Sequence, residues 1–160
     1  MRLRSLVPGL LALLAAPPIA HAQTERAQVL RAVTLLFDGM RQHDSMMVGA
    51  AFAAEGRLLG VRVKDGTPAL DLITAAQFGH AVGTATGDPW DERIYDPEVR
   101  IDGNVATVWA PYDFLLGPKW SHCGIDAFML SKLGESWRIT QIVDTRQQQG
   151  CTTPAAPKSP

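Results

Sequence analysis

The chain has 160 residues, with 15 Lys and Arg against 16 Asp and Glu and a hydrophobic share of 46%. That length and composition suit one domain with a real core. The near-neutral charge, with no basic stripe, argues against a nucleic-acid partner.

Met1-Arg2-Leu3-Arg4, the apolar run from Leu6 to Ala16 and then Ala20-His21-Ala22 have the three parts of a secretory signal peptide: basic start, short apolar stretch and A-x-A cleavage site. Pro17-Pro18 interrupts the run well short of the ~20 apolar residues that a membrane span requires. The expectation is export to the periplasm or beyond, cleavage near Ala22 and no transmembrane segment. The mature chain from residue 23 would carry a net charge of −3, since Arg2 and Arg4 leave with the signal, and its domain would cover residues 23–151.

Thr24 can cap a first helix reaching about Gln42, with Leu30, Val33, Phe37 and Met40 on one face. Asp44 can cap a second over Ser45 to Ala53; its Met46, Met47 and Phe52 read as core rather than as a cofactor site. His43, at the junction, carries no functional signal. Gly56–Lys64 and Pro68–Ile73 flank Asp65-Gly66, a hairpin signature. Thr74-Ala75-Ala76-Gln77 has the form of a capping box and predicts a third helix to about Val82, carrying Phe78 and His80. His80 reads as a surface or capped histidine, with the cavity side as the alternative.

Beyond the Gly/Thr-rich connector 83–89 come four runs rich in Val, Ile, Trp, Tyr and Phe: Asp91–Ile101, Asn104–Leu116, Trp120–Leu133 and Ser136–Gln147. A two-residue turn at Asp102-Gly103 pairs Val99 with Ala106, Pro97 with Val108 and Tyr95 with Ala110. Because cross-strand partners share a face, Tyr95, Val99, Ile101, Ala106, Val108, Ala110, Tyr112 and Phe114 form the drier, helix-covered side. Asp96, Glu98, Arg100, Val105, Thr107, Trp109 and Asp113 form the wetter one, a candidate subunit contact. Glu92 and Asp113 read as a solvated outer-face pair. Placing Phe114 opposite His122 brings His122, Asp126, Phe128 and Leu130 to the inner side. The turn at Leu133-Gly134-Glu135 leaves two registers, one turning Ile142 and Asp144 inward and the other Val143 and Thr145; the first is preferred.

Cys123 near the start of the third run and Cys151 just past the end of the fourth can form a disulfide in an oxidising compartment. The alternative is a reactive or metal-binding thiol beside His122. Residues 152–160, with three prolines, read as a disordered tail.

The order helix, helix, hairpin, helix and four strands accompanies three stretches: Trp109-Ala110-Pro111-Tyr112-Asp113-Phe114, His122-Cys123-Gly124-Ile125-Asp126-Ala127-Phe128 and Ile142-Val143-Asp144-Thr145-Arg146. Together they resemble the nuclear-transport-factor-2-like superfamily, and within it an exported SnoaL-like or lumazine-binding-like branch. The resemblance implies an α+β fold: a cone-shaped curved antiparallel sheet packed on three helices, with a pocket inside and frequent homodimers through the outer sheet face. It implies no single activity, because the superfamily includes isomerases, dehydratases, polyketide cyclases and non-catalytic binders.

The residues support a binding domain first. Tyr95, Tyr112, Phe114 and Phe128 would wall the pocket, while His122, Asp126 and Asp144 would anchor the polar atoms of a small apolar or aromatic molecule. The alternative is an acid/base enzyme drawing on His122, Asp126, Tyr112 and Asp144. His122 and Asp126 stand about 13 Å apart along one strand, so neither completes a dyad with the other. A third reading is a structural dimerisation module centred on Trp109. No cofactor motif is present, and no second histidine stands at ligand spacing from His122, so no metal is expected.

Overall fold

The computed structural model describes residues 18–151; the expected signal sequence up to residue 17 and the tail from residue 152 lie outside the described residues. Three helices, α1 (Pro18–Gln42), α2 (Ser45–Ala51) and α3 (Ala75–Thr84), pack on the concave side of one curved, unclosed sheet. Its strands are β1 (Phe52–Lys64), β2 (Thr67–Thr74), β3 (Trp90–Ile94), β4 (Glu98–Asp102), β5 (Val105–Leu116), β6 (Lys119–Leu133) and β7 (Ser136–Asp144). The order across the sheet is β2-β1-β7-β6-β5-β3, with β4 also paired to β5. The pairings are antiparallel except β1 with β7, which run parallel.

The local reasons for these elements are visible in the sequence. Val29, Val33, Leu36, Phe37 and Met40 fall on one stripe of α1 and are buried, the spacing an amphipathic helix needs. This helix starts upstream of Thr24, which therefore lies inside it instead of capping it. Asp44 does cap α2, accepting from the backbone N–H groups of Met46 and Met47, and α2 ends two residues earlier than expected because Phe52 and Ala53 enter β1. Thr74 and Gln77 form the reciprocal capping box of α3. At Asp65-Gly66 both residues have positive φ, the conformation of a tight hairpin turn.

The core lies between α1, α2 and the inner face of β5, β6 and β7. Phe37 meets Phe128 edge-on at 6.1 Å, surrounded by Val108, Leu130, Ile139 and Ile142. One end of the cone is thus packed solid. The other stays open.

Two features of the expected sheet differ. The run Asp91–Ile101 is two strands: Asp96 takes φ 41° and Pro97 has no N–H to give a ladder, so the chain breaks from Tyr95 to Pro97. In addition, the tip of the β4–β5 hairpin is Gly103-Asn104, with Asp102 opposite Val105 and Val99 opposite Val108. That slip of two residues preserves the faces of β4 and β5. The break is more consequential, because β3 pairs with β5 in a register of opposite parity, Glu92 facing Phe114 and Ile94 facing Tyr112. Every side chain of β3 therefore lies on the face opposite to the one expected.

Candidate functional site

The open end of the cone holds a cavity of about 950 Å³. Its polar floor follows from strand register. Asp71 pairs with Gly60, Gly60 with Asp144, Asp144 with Asp126, and Asp126 with Ala110. One row across five strands thus presents three carboxyls to the cavity. Glycine at position 60 leaves room for them: a Cβ there would stand 3.1 Å from Asp144 Oδ1. Of the two registers open for β7, the one with Ile142 and Asp144 inward is observed, and Phe114 pairs with His122 as expected.

The fourth carboxyl is Glu92. It was expected on the outer face beside Asp113, but the changed register of β3 turns it into the cavity. Arg41 on α1 holds this strand in place, donating to the Asp91 carboxylate at 3.1 Å and to the Glu92 backbone carbonyl at 3.4 Å. The curvature of the sheet then brings the Glu92 carboxyl into hydrogen-bond reach of Asp126. Asp126 is 2% exposed, and its Oδ2 has no donor among the described residues.

Two acids facing each other away from water both bind protons more tightly, because burial and like charge disfavour the ionised forms. Burial pushes the Glu92 carboxyl up to about 7; the Asp144 charge adds to this, while the hydrogen bond to Asp126 and the Arg146 charge oppose it. Burial also raises Asp126 well above the ordinary aspartate range, reinforced by Glu92 and Asp144 and opposed by Arg146. Arg146 Nε stands 4.0 Å from Asp144 Oδ2.

The cavity wall is aromatic. Phe78 and Trp90 lie with ring centres 6.5 Å apart, Trp90 and Phe114 6.4 Å, and Phe114 stacks on His122 at 4.8 Å. Tyr112 meets the His122 ring edge-on at 5.8 Å, and His122 Nδ1 lies 3.0 Å from Ser121 Oγ. The Tyr112 hydroxyl donates to the Thr145 carbonyl at 2.9 Å. Burial, with the nearby charges of Glu92, Asp126 and Asp144, pushes its phenol up. This contact needs Gly124 opposite Tyr112, because a Cβ there would overlap the Thr145 carbonyl oxygen.

Tyr112, Phe114, His122, Asp126 and Asp144 therefore meet around one cavity. Two other sequence candidates do not join them. Phe128 is part of the solid core against Phe37. Tyr95 sits on the convex face, past the break in the strand, where its hydroxyl donates to Asp113 at 3.1 Å. Asp113 also accepts from Trp120 Nε1 at 3.3 Å and is 1% exposed. It is buried rather than solvated, because Tyr95 and Trp120 cover it. His80 is exposed on α3.

Sequence reasoning missed Glu92, Trp90 and Phe78 as lining residues. The signal available was Asp96-Pro97, a turn-forming pair inside a supposed strand.

Cys123 and Cys151 are joined in a disulfide, Cα to Cα 6.0 Å. Backbone hydrogen bonds in both directions between Cys123 and Gln147 continue the antiparallel pairing with β6 beyond the end of β7. That continuation places Arg146, Gln147 and Gln148 at the cavity mouth. Among the described residues, no group of three His, Cys, Asp or Glu side chains could hold a metal ion. No helix among them is long and apolar enough to cross a membrane.

No protein-family profile matches the chain, and no curated protein is similar to it by sequence. Solved structures do match. An NTF2-like protein of unknown function from Shewanella baltica is 16% identical over 79% of this chain and 97% of its own, with a TM-score of 0.63. An NTF2-like protein with a cystatin-like fold from Novosphingobium aromaticivorans is 10% identical over 82% and 88%, with a TM-score of 0.65. A candidate scytalone dehydratase from the same organism is 9% identical over 86% and 94%, again at 0.65. These likenesses establish the fold as nuclear-transport-factor-2-like.

Proposed function

We propose that the protein is an exported domain that binds a small, largely apolar molecule inside its cone. The observation that carries this reading is the cavity of about 950 Å³, walled by Phe78, Trp90 and Phe114 and floored by convergent carboxyls. Ligand sites have this construction: mostly apolar walls and a few placed polar groups. An interior left hollow also forgoes packing, since unfilled volume costs stability. Export is supported by the disulfide and by the signal-like start of the sequence.

The test is saturable thermal stabilisation by aromatic compounds. Leu58→Trp, which narrows the cavity from the β1 side without touching the acids, is expected to abolish the effect. A broad panel in which no compound stabilises the protein would overturn the reading.

A second reading is favoured by the facing of Glu92 and Asp126 across one cavity, where burial raises the proton affinity of both. A carboxyl poised near neutral pH can act as a general acid or base, so the pocket would turn its ligand over. In that case Glu92→Gln abolishes turnover while binding persists; a ligand recovered chemically unchanged after long incubation contradicts it.

The convex face, with Trp109 56% exposed beside Val105 and Met129, supports a homodimer through this surface. Trp109→Glu is then expected to give monomers in sedimentation, and an unchanged profile would remove the idea.

A further inference from the structure

We infer that the ligand is an elongated amphiphile: its apolar end fills the cone, and its chain leaves over the rim at Leu116 and Gln148 to set an anionic end group beside Lys119. This rests on the pocket reading and adds the shape and the outer end of the ligand.

The first observation is continuity. Beside the cavity lies a smaller cleft of about 420 Å³, lined by Leu116, Lys119, Trp120, Ser121, Gln148 and Gln149. Leu116, Ser121 and Gln148 line both hollows, so the two meet along one seam. Leu116, at the end of β5, keeps that seam apolar and is 38% exposed. An alkyl chain passing over it would cover this surface, which is favourable in water.

The second observation is how the cleft is built. Gln147 exchanges backbone hydrogen bonds in both directions with Cys123, and Cys151 is joined to the same residue through sulfur. Segment 147–151 is thus a loop fastened at both ends to one point of β6, turning at Gly150 with φ 73°. Gln148 and Gln149 stand between the two fastenings and form one bank of the cleft. Lys119 to Ser121, at the start of the same strand, form the other. A loop closed in this way holds its amides in place and loses less freedom on binding than a loose end would.

The third observation is the chemistry of the outer end. Lys119 makes no ion pair with a described carboxylate; Asp88 lies against Gly117 in the adjoining turn without reaching it. Arg146, the other base at the mouth, already stands 4.0 Å from Asp144. A lysine ammonium and two glutamine amides suit an anion that stays partly hydrated. Turned inward, the same anion would be buried against Asp126 and Glu92 with no gain to offset its lost water. The polarity of the ligand therefore runs from apolar inside to anionic outside.

The probes are terminal-phenyl carboxylates of rising length (phenylacetate, phenylbutyrate, phenylhexanoate and phenyloctanoate) and the alcohols of the same lengths, titrated calorimetrically into the disulfide-bonded protein. Alcohol affinity is expected to rise with length, by about twofold for each methylene that is half covered. The carboxylate should be the weaker partner in the short pairs and the stronger in the longest, by about threefold to fivefold, the worth of one exposed ion pair. Lys119→Gln should remove that advantage and leave the alcohols unchanged. Cys123→Ser with Cys151→Ser should also remove it while the shortest alcohol still binds, which reports an intact cavity.

A carboxylate no stronger than its alcohol at any length overturns the rim subsite and leaves the pocket standing. Alcohol affinity that stops rising once the phenyl group is housed does the same. An advantage that survives Lys119→Gln places the anion at another base and overturns the assignment; one that survives loss of the bridge contradicts the part given to the loop. If neither short nor long members bind, the inference and the pocket reading beneath it fall together.

Discussion

Two buried aspartates stand on neighbouring central strands of one sheet and face opposite ways. Asp113 on β5 looks outward and receives hydrogen bonds from the Tyr95 hydroxyl and the Trp120 indole. Asp126 on β6 looks inward, meets another carboxyl and has an oxygen without a donor. The first is a charge buried with the donors it needs, so it ties β3 to β5 and β6. The second is a carboxyl buried against its own kind, so its proton affinity is raised and it faces a cavity. Depth alone does not distinguish a structural acid from a functional one; the partners do.

Substitutions should separate the two. The largest loss is expected at Gly124→Ala, whose methyl would displace the Thr145 carbonyl that the Tyr112 hydroxyl holds. Overpacking with a broken buried hydrogen bond should cost about 3 kcal/mol or more, read as a lowered denaturation midpoint. Asp113→Ala leaves the Tyr95 hydroxyl and Trp120 N–H without their acceptor and should cost about 3 kcal/mol. Asp126→Asn, by contrast, relieves a buried like-charge contact and should leave stability near neutral pH unchanged or raised. If the two aspartate variants lose stability equally, the distinction between the sites fails.

Replacing both cysteines by serine should cost about 3 kcal/mol and loosen Arg146 to Gln148 at the mouth. Faster amide exchange there, with β5 still protected, is the expected signature.

The smallest change, read per pH unit, is the pH dependence. Glu92 and Asp126 both bind protons more tightly folded than unfolded. Their contribution to stability is therefore fully present below the unfolded carboxylate range and is lost as pH rises through their folded values, about 7 for Glu92. The slope should reach about 1.4 kcal/mol per pH unit for each extra proton held. Glu92→Gln should flatten it.

Much of this was legible in the sequence because strand alternation is a strict code. The faces of β5 and β6 follow from it, and with them the positions of Tyr112, Phe114, His122 and Asp126; for β7 two registers stayed open, and the preferred one, with Asp144 inward, is observed. The code has one weakness, which is that a single irregular residue inverts everything on its far side. Asp96 and Pro97 did this to β3, carrying Glu92 into the cavity and Tyr95 out of it. Phe128 shows a different limit: alternation gives the face of a residue, whereas its position along the strand decides between solid core and hollow. The disulfide was legible as one of two readings, since proximity depended on the course of the chain after β7, which the backbone hydrogen bonds between Gln147 and Cys123 keep alongside β6.

The most direct measurement is a carboxyl-carbon NMR titration of the folded protein, assigned with Glu92→Gln and Asp126→Asn. A cavity that keeps a proton at these two acids should show Glu92 titrating near 7, and Glu92→Gln should bring Asp126 downward by removing a charge and a hydrogen bond that raise it. A Glu92 midpoint between about 4 and 5, indistinguishable from that of exposed glutamates, would contradict the proton kept there.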